Sequence, residues 1–222
     1  MSQLISRREL LRFSTGAVLT SIFGFGCRNQ ASAFPCLRTP EQTEGPFYPV
    51  KKSLDENNDL TLIEGMPGRA DGKVIYIRGC VVDRHCRPLH GTRVEIWQAS
   101  AQGRYNHPRE RRNPVALDEN FQSWGHAITD SEGKYLFKTI FPGRYEASRG
   151  WIRPAHVHFK VSGEAHHDLT TQMYFDGDPY LDNDFILRNI PREQWNQVII
   201  ERQDSRAEFD DGSGLYVFNL TV

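Results

Sequence analysis

From Lys73 to the C-terminus the chain is written in short runs that alternate apolar and polar residues, or are continuously β-branched, and turn signals separate them. Residues 74–82 form one such run, closed by a turn over 83–89 that contains Pro88. Residues 92–97 alternate polar and apolar, as a half-buried strand does. After a long polar stretch from Ser100 to about Gly125 come residues 126–129, the turn Asp130-Ser131-Glu132-Gly133, and a run over 134–140. Further strands are predicted over 155–162, 169–175, 197–202 and 215–222, and the one helical candidate is a short piece around 180–188. Many short strands with hardly any helix predict an all-β fold, an antiparallel β-sandwich with long loops. At 222 residues there is room for one such domain with a sizeable core.

The first 33 residues differ in kind. Ser6-Arg7-Arg8-Glu9-Leu10-Leu11-Arg12 resembles a twin-arginine export motif, an uncharged stretch runs from Phe13 to Gly26, and Ala31-Ser32-Ala33 supplies small residues for cleavage. The apolar stretch is short for a permanent membrane span. The expected organisation is a signal peptide over 1–33, an extended arm over 34–72 rich in Pro, Gly, Asn and acidic residues, and a β domain over 73–222. The mature chain is then exported by the twin-arginine pathway to the periplasm or the cell exterior. A retained anchor and lipidation at Cys27 are the competing readings. Cleavage leaves Cys36, Cys80 and Cys86, which allows one disulfide with one thiol left over and does not choose the pair. No Cys-x-x-Cys spacing exists, which argues against a zinc–thiolate site. A formal net charge of −1 and the short basic run Arg109, Arg111, Arg112 in a polar stretch give no basic face for a nucleic acid.

The sharpest local feature is Arg153-Pro154-Ala155-His156-Val157-His158-Phe159-Lys160-Val161. Side chains alternate across a strand, so Val157, Phe159 and Val161 share the core face and His156 and His158 share the other, about 6.5–7 Å apart along the backbone. Two imidazoles so placed can converge on one metal ion, although His-x-His also occurs on plain solvent-facing strands and in copper–zinc superoxide dismutases. The other histidines here lack the spacing that the latter need. Asp176, Asp178, Asp182 and Asp184 look like a cation cluster but are expected to be a solvated acidic loop.

Five segments occur in a telling order: Trp97-Gln98-Ala99, Gly103-Arg104-Tyr105, Pro142-Gly143-Arg144-Tyr145, Arg153-Pro154-Ala155-His156-Val157-His158-Phe159, and Gln172-Met173-Tyr174-Phe175-Asp176-Gly177-Asp178. Parts of this order, from Val81-Val82-Asp83 to Pro142-Gly143-Arg144-Tyr145, also occur in transthyretin-like (prealbumin-like) sandwich modules, and those parts speak for fold alone. As a set, with the arm Thr39-Pro40-Glu41-Gln42-Thr43-Glu44-Gly45-Pro46-Phe47-Tyr48-Pro49, they resemble the intradiol ring-cleavage dioxygenases, in the beta-subunit-like protocatechuate 3,4-dioxygenase branch. The resemblance spans essentially the whole mature chain.

That resemblance implies a ferric ion, Fe(3+), held by Tyr105, Tyr145, His156 and His158. It implies that Tyr145 is displaced by substrate, that Arg153 stabilises charge building on the ring, and that Gln172 orients a ligand or the reacting oxygen. The substrates would be a small aromatic diol and O₂, and the assembly either a homo-oligomer or a pairing with a homologous chain. The stretch from Tyr145 to Arg153 is about two residues shorter than in protocatechuate-cleaving relatives, which shifts Trp151 by one place and separates the metal site from any preference for protocatechuate. Two other classes compete: an exported sandwich binding module without catalysis, which needs none of these residues, and a copper or zinc enzyme using His156 and His158, which leaves Tyr105 and Tyr145 without a role.

Overall fold

The computed structural model describes residues 36–52, 55–111, 113–164, 166–203 and 212–222. The expected signal peptide lies outside the described residues, and so does Arg112 of the basic run. Among the described residues there are twelve strands: β1 (Val74–Val82), β2 (Arg93–Trp97), β3 (Trp124–Ile128), β4 (Lys134–Ile140), β5 (Tyr145–Ser148), β6 (Trp151–Arg153), β7 (His156–Ser162), β8 (Leu169–Phe175), β9 (Ile199–Ile200), β10 (Arg202–Gln203), β11 (Gly214–Val217) and β12 (Leu220–Thr221). No described helix is long and apolar enough to cross a membrane.

The strands form two five-stranded sheets and a hairpin. One sheet runs β10-β11-β1-β12 with β4 also on β1; the other runs β3-β2-β7-β8-β9; β5 and β6 pair by themselves. The inward-facing residues of both sheets share one core. Ile75, Ile77 and Phe137 of the first sheet meet Val94, Ile96, Val157, Phe159 and Met173 of the second, with Phe218 closing the space. Phe159 packs on Phe218 at 4.9 Å between ring centroids and Phe175 on Tyr216 at 4.8 Å. Apolar area removed from water at these positions drives the two sheets together.

Three features depart from the expected fold. The sheets are mixed rather than antiparallel: β1 pairs in parallel with β11 and β12, and β8 with β9. Alternation reveals which face a strand buries and says nothing about its neighbour's direction, so the two short C-terminal strands could not be oriented from sequence. The helical candidate resolves into single 3₁₀ turns at Leu181–Asn183 and Leu187–Asn189, with a further 3₁₀ segment at Arg192–Gln197. The β5–β6 hairpin lies where the sequence predicts no strand; Gly150 turns it with a positive φ of 78°, and its register shifts between Glu146 and Ser148.

A disulfide joins Cys36 to Cys86, tying the start of the arm to the turn after β1. No described cysteine is free, which corrects the expected leftover thiol. Beyond Cys36 the arm runs along the second sheet: Gln42 N–H donates to the Thr170 carbonyl, and the Gln42 side chain donates to the Gln172 carbonyl and Thr171 Oγ1.

Candidate metal centre

The two histidines of β7 sit where alternation puts them, on the face opposite Val157 and Phe159, yet both are buried. Their face is covered by the arm and by the loops bearing Tyr105 and Tyr145. His156 and His158 lie 5.0 Å apart between ring centroids. His156 Nδ1 lies 2.7 Å from the Pro154 carbonyl oxygen, which can only accept, so Nδ1 carries the proton and the Nε2 lone pair faces the site. That Nε2 is 3.2 Å from the Tyr105 hydroxyl. Tyr105 and Tyr145 meet edge to face at 5.5 Å, and Tyr145 is 5.8 Å from His156.

Two glycines explain how the two tyrosines come together. A Cβ on Gly103 would lie 2.2 Å from the Arg144 carbonyl oxygen, and one on Gly143 would lie 2.4 Å from the Ala101 carbonyl oxygen. No side chain fits either gap, so the loops before Tyr105 and Tyr145 pack backbone on backbone, joined by Gly143 N–H to the Ser100 carbonyl at 2.9 Å. The glycines of Gly103-Arg104-Tyr105 and Pro142-Gly143-Arg144-Tyr145 thus act as the hinge that brings two phenols to one point.

Arg153 ends β6, directly across from Tyr145. It is 5% exposed. Its Nε donates to Asp184 at 2.6 Å, and its Nη2 donates to Gln172 Oε1 at 2.7 Å and more weakly to the Tyr174 hydroxyl at 3.4 Å. Gln172, opposite His158 in the β7–β8 ladder, spends its carbonyl oxygen on Arg153 and donates its amide to the Thr43 carbonyl. It therefore bears on Arg153 rather than on a histidine. The loop expected to be solvated is split: Asp176 and Asp182 are exposed, whereas Asp178 and Asp184 are buried. Asp178 accepts from Arg144 Nε and from the Ala155 amide, bridging the neighbours of Tyr145 and His156. Counting charges along a loop cannot separate such pairs; only the partner arginines two strands away identify them.

Burial dominates the electrostatics. It pushes the imidazoles of His156 and His158 well below their ordinary value, helped by Arg153, so both are neutral donors. It pushes Tyr105 well above its ordinary value, with Tyr145 adding to the rise, and pushes Tyr145 up as well. Burial also works against the charge of Arg153, but Tyr174, Tyr145 and Asp184 outweigh it and keep the guanidinium protonated. Two phenols this hard to ionise become phenolates only beside a compensating positive charge. No group of three or more His, Cys, Asp and Glu gathers among the described residues. The tyrosines are the oxygen donors nearest the histidine pair, and imidazole with hard anionic oxygen is a donor set that would suit ferric iron.

Trp97, Phe47 and Tyr48 complete the site, and motif order had given them no role. Trp97 stacks on His158 and Phe47 on Tyr105. No sequence signal marked them: for Trp97 it is only the strand register, seen in the structure, that places it directly opposite His158.

Comparison with known proteins agrees with this architecture. A family model described as "Dioxygenase" matches residues 43–222, and the chain belongs to the intradiol ring-cleavage dioxygenase family. Within that family it goes with the protocatechuate 3,4-dioxygenase beta-chain branch: it is 37% identical over 172 residues to the protocatechuate 3,4-dioxygenase beta chain of Burkholderia cepacia, covering 74% of this chain and 72% of that one. It is 32% identical over 160 residues to a catechol 1,2-dioxygenase of Acinetobacter baylyi, covering 66% of this chain and 49% of that one. The solved structure of catechol 1,2-dioxygenase from Pseudomonas arvilla C-1 matches with a TM-score of 0.63 at 29% identity, over 82% of this chain and 61% of that one. The chain spans about half the length of the Acinetobacter baylyi enzyme.

Proposed function

We propose that this chain is a non-haem Fe(III) dioxygenase that cleaves catechol-type diols between their two hydroxylated carbons, with Tyr105, Tyr145, His156 and His158 as the metal ligands. The observation that carries the reading is the convergence of buried Tyr105, half-buried Tyr145 and two neutral, buried imidazoles, with the Tyr105 hydroxyl 3.2 Å from His156 Nε2. Ferric iron bound there would hold the diol through both oxygens and make the ring reactive toward O₂. The ring C–C bond breaks, both atoms of O₂ stay in the product, and catechol yields a muconate-type diacid.

The protein's own groups have separable tasks in this reading. Tyr145 Oη, which would be held as phenolate beside the metal, would accept a proton from an incoming hydroxyl. Arg153 supplies a fixed positive charge beside the ring, and its pairing with Asp184 and Gln172 keeps it from reorienting as charge builds. His156, anchored to the Pro154 carbonyl, keeps one tautomer. Phe47 and Trp97 exclude water from the ligand cluster. The Cys36–Cys86 disulfide supports a location outside the reducing cytoplasm, in keeping with twin-arginine export to the periplasm or beyond. Assembly with a copy of itself or a homologous chain is part of the same reading, since one relative is named a beta chain.

The test is an anaerobic visible spectrum of the iron-loaded protein before and after catechol, followed by air. A red-brown tyrosinate–iron band that shifts with catechol and recovers as a muconate-type acid forms is the expected result. A colourless protein that leaves catechol intact overturns the proposal and favours a binding module.

A further inference from the structure

We infer that Trp97 is a positioning residue that sets the ring plane of His158 by stacking, in place of the hydrogen bond that fixes His156; the inference rests on the ligand assignment proposed above. The indole and imidazole lie 4.7 Å apart between centroids and 8° from parallel. No other aromatic contact described for His158 is parallel: Tyr105 meets it at 62° and His156 at 73°. Whereas His156 Nδ1 reaches the Pro154 carbonyl, His158 Nδ1 is buried with no hydrogen-bond partner among the described residues. A metal-binding histidine is ordinarily oriented through the nitrogen that does not bind the metal. Here no described residue supplies the polar anchor, and a flat π-face occupies the ring's flank.

The strand register builds the stack in. Trp97 of β2 is the direct cross-strand partner of His158 of β7, the closest approach two side chains on neighbouring strands can make. Trp97 is itself held from the arm side, where Tyr48 meets it edge-on at 5.0 Å and 90°. Tyr48 in turn donates its hydroxyl to Glu95, two residues before Trp97 and on the same face of β2, and Glu95 is paired with Lys52 at 2.7 Å. The arm backbone passes the ring's edge, where a Cβ on Gly45 would be 3.5 Å from His158 Cε1. A column of arm, indole and imidazole thus leaves the His158 ring one plane.

Ordinary core packing is the competing explanation, and Trp124 separates the two. It is the cross-strand neighbour of Trp97 on the other side, is equally buried, and contacts His126 rather than His158. Trp97→Met, Trp97→Phe and Trp124→Met are compared for Fe(III) affinity, for the visible band, and by crystal structures of the metal-free proteins. Trp97→Met is expected to weaken Fe(III) binding by about 10- to 100-fold and to shift the band. Trp97→Phe, which keeps a flat face, restores most of the affinity, and Trp124→Met leaves affinity and band unmoved. Wild-type affinity in a folded Trp97→Met protein, or equal losses from Trp97→Met and Trp124→Met, overturns the inference. A wild-type protein without the band sinks the ligand assignment instead. The crystal structures still decide the stacking claim then, since a His158 ring that keeps its plane in Trp97→Met refutes it.

Discussion

His156 and His158 stand two residues apart on one face of one strand, and the walls around them are built on opposite principles. On the Arg153 side the parts are tied by directional polar contacts: His156 to a carbonyl, Arg153 to Asp184 and Gln172, and Tyr174 to Gln42 at 2.8 Å. On the His158 side they are held by ring faces: Trp97 on His158, Phe47 on Tyr105 at 4.5 Å, Tyr48 against Trp97. Most of the polar wall comes from strands and loops of the sandwich, and the aromatic wall leans on the arm. The first is all-or-none, because a buried charge that loses its partner is left uncompensated. The second is graded, because stacked contacts weaken by degrees.

The largest expected effect breaks the polar wall. Arg153→Leu leaves fully buried Asp184 without its cation, and a stability loss of about 3–5 kcal/mol in urea denaturation is expected. Arg153→Leu with Asp184→Leu should recover much of that loss, as replacing both partners removes the orphaned charge. A single variant as stable as wild type would show that Asp184 finds another donor and that the wall is not all-or-none. Next comes the tether of the aromatic wall. Replacing Cys36 and Cys86 by serine opens the link between arm and β1 turn, and about 2–4 kcal/mol of stability should go with it. Near-ultraviolet circular dichroism should change, since the arm carries Phe47 and Tyr48 onto the site. An unchanged aromatic signal would mean the arm docks without its tether.

The strand that carries both histidines, and the face they share, were legible in the sequence. Alternation in residues 155–162 separates Val157 and Phe159 from His156 and His158, and the structure keeps that separation. The runs over 74–82, 134–140 and 169–175 match β1, β4 and β8 at both ends. What sequence hides is anything that depends on which strand lies beside which. The parallel pairing of β1 with β11 and β12 is one case. The burial of Asp178 and Asp184 is another, since each is explained by an arginine over 30 residues away in the chain. The stack of Trp97 on His158 is a third: both residues belong to recognisable motifs, and only the β2–β7 register makes them neighbours.

Phe47→Ala sharpens the graded side of the comparison. Phe47 is half-buried, so about 1–2 kcal/mol is expected, below the ~3–5 kcal/mol of a fully buried phenylalanine. In the iron-loaded protein the tyrosinate band should move with Tyr105 while Arg153, on the other wall, is undisturbed. A loss as large as that of Arg153→Leu would erase the distinction between the walls.

The smallest effect concerns the pair that seats the arm. Burial raises the Glu95 carboxyl, but the hydrogen bond and charge of Lys52 outweigh it and hold the group below its ordinary value of 4.5. For a carboxyl lowered in the folded state, the stabilisation is complete above the ordinary value and disappears as pH falls through the lowered one. Lys52 is shifted the other way: burial opposes its charge, and Glu95 outweighs that and raises it above 10.5. The contact is therefore intact at neutral pH and opens only in acid. Lys52 is 36% exposed, so water and salt screen the pair and its contribution is modest. Lys52 lies 4.8 Å over the Trp124 ring, which makes indole fluorescence the readout. An acid transition below pH 4.5 is expected in wild type, over and above any change from His126 beside Trp124, and absent in Glu95→Gln. If the transition persists in Glu95→Gln, another group drives it, and the polar and stacked walls are more independent than the Glu95–Tyr48 hydrogen bond implies.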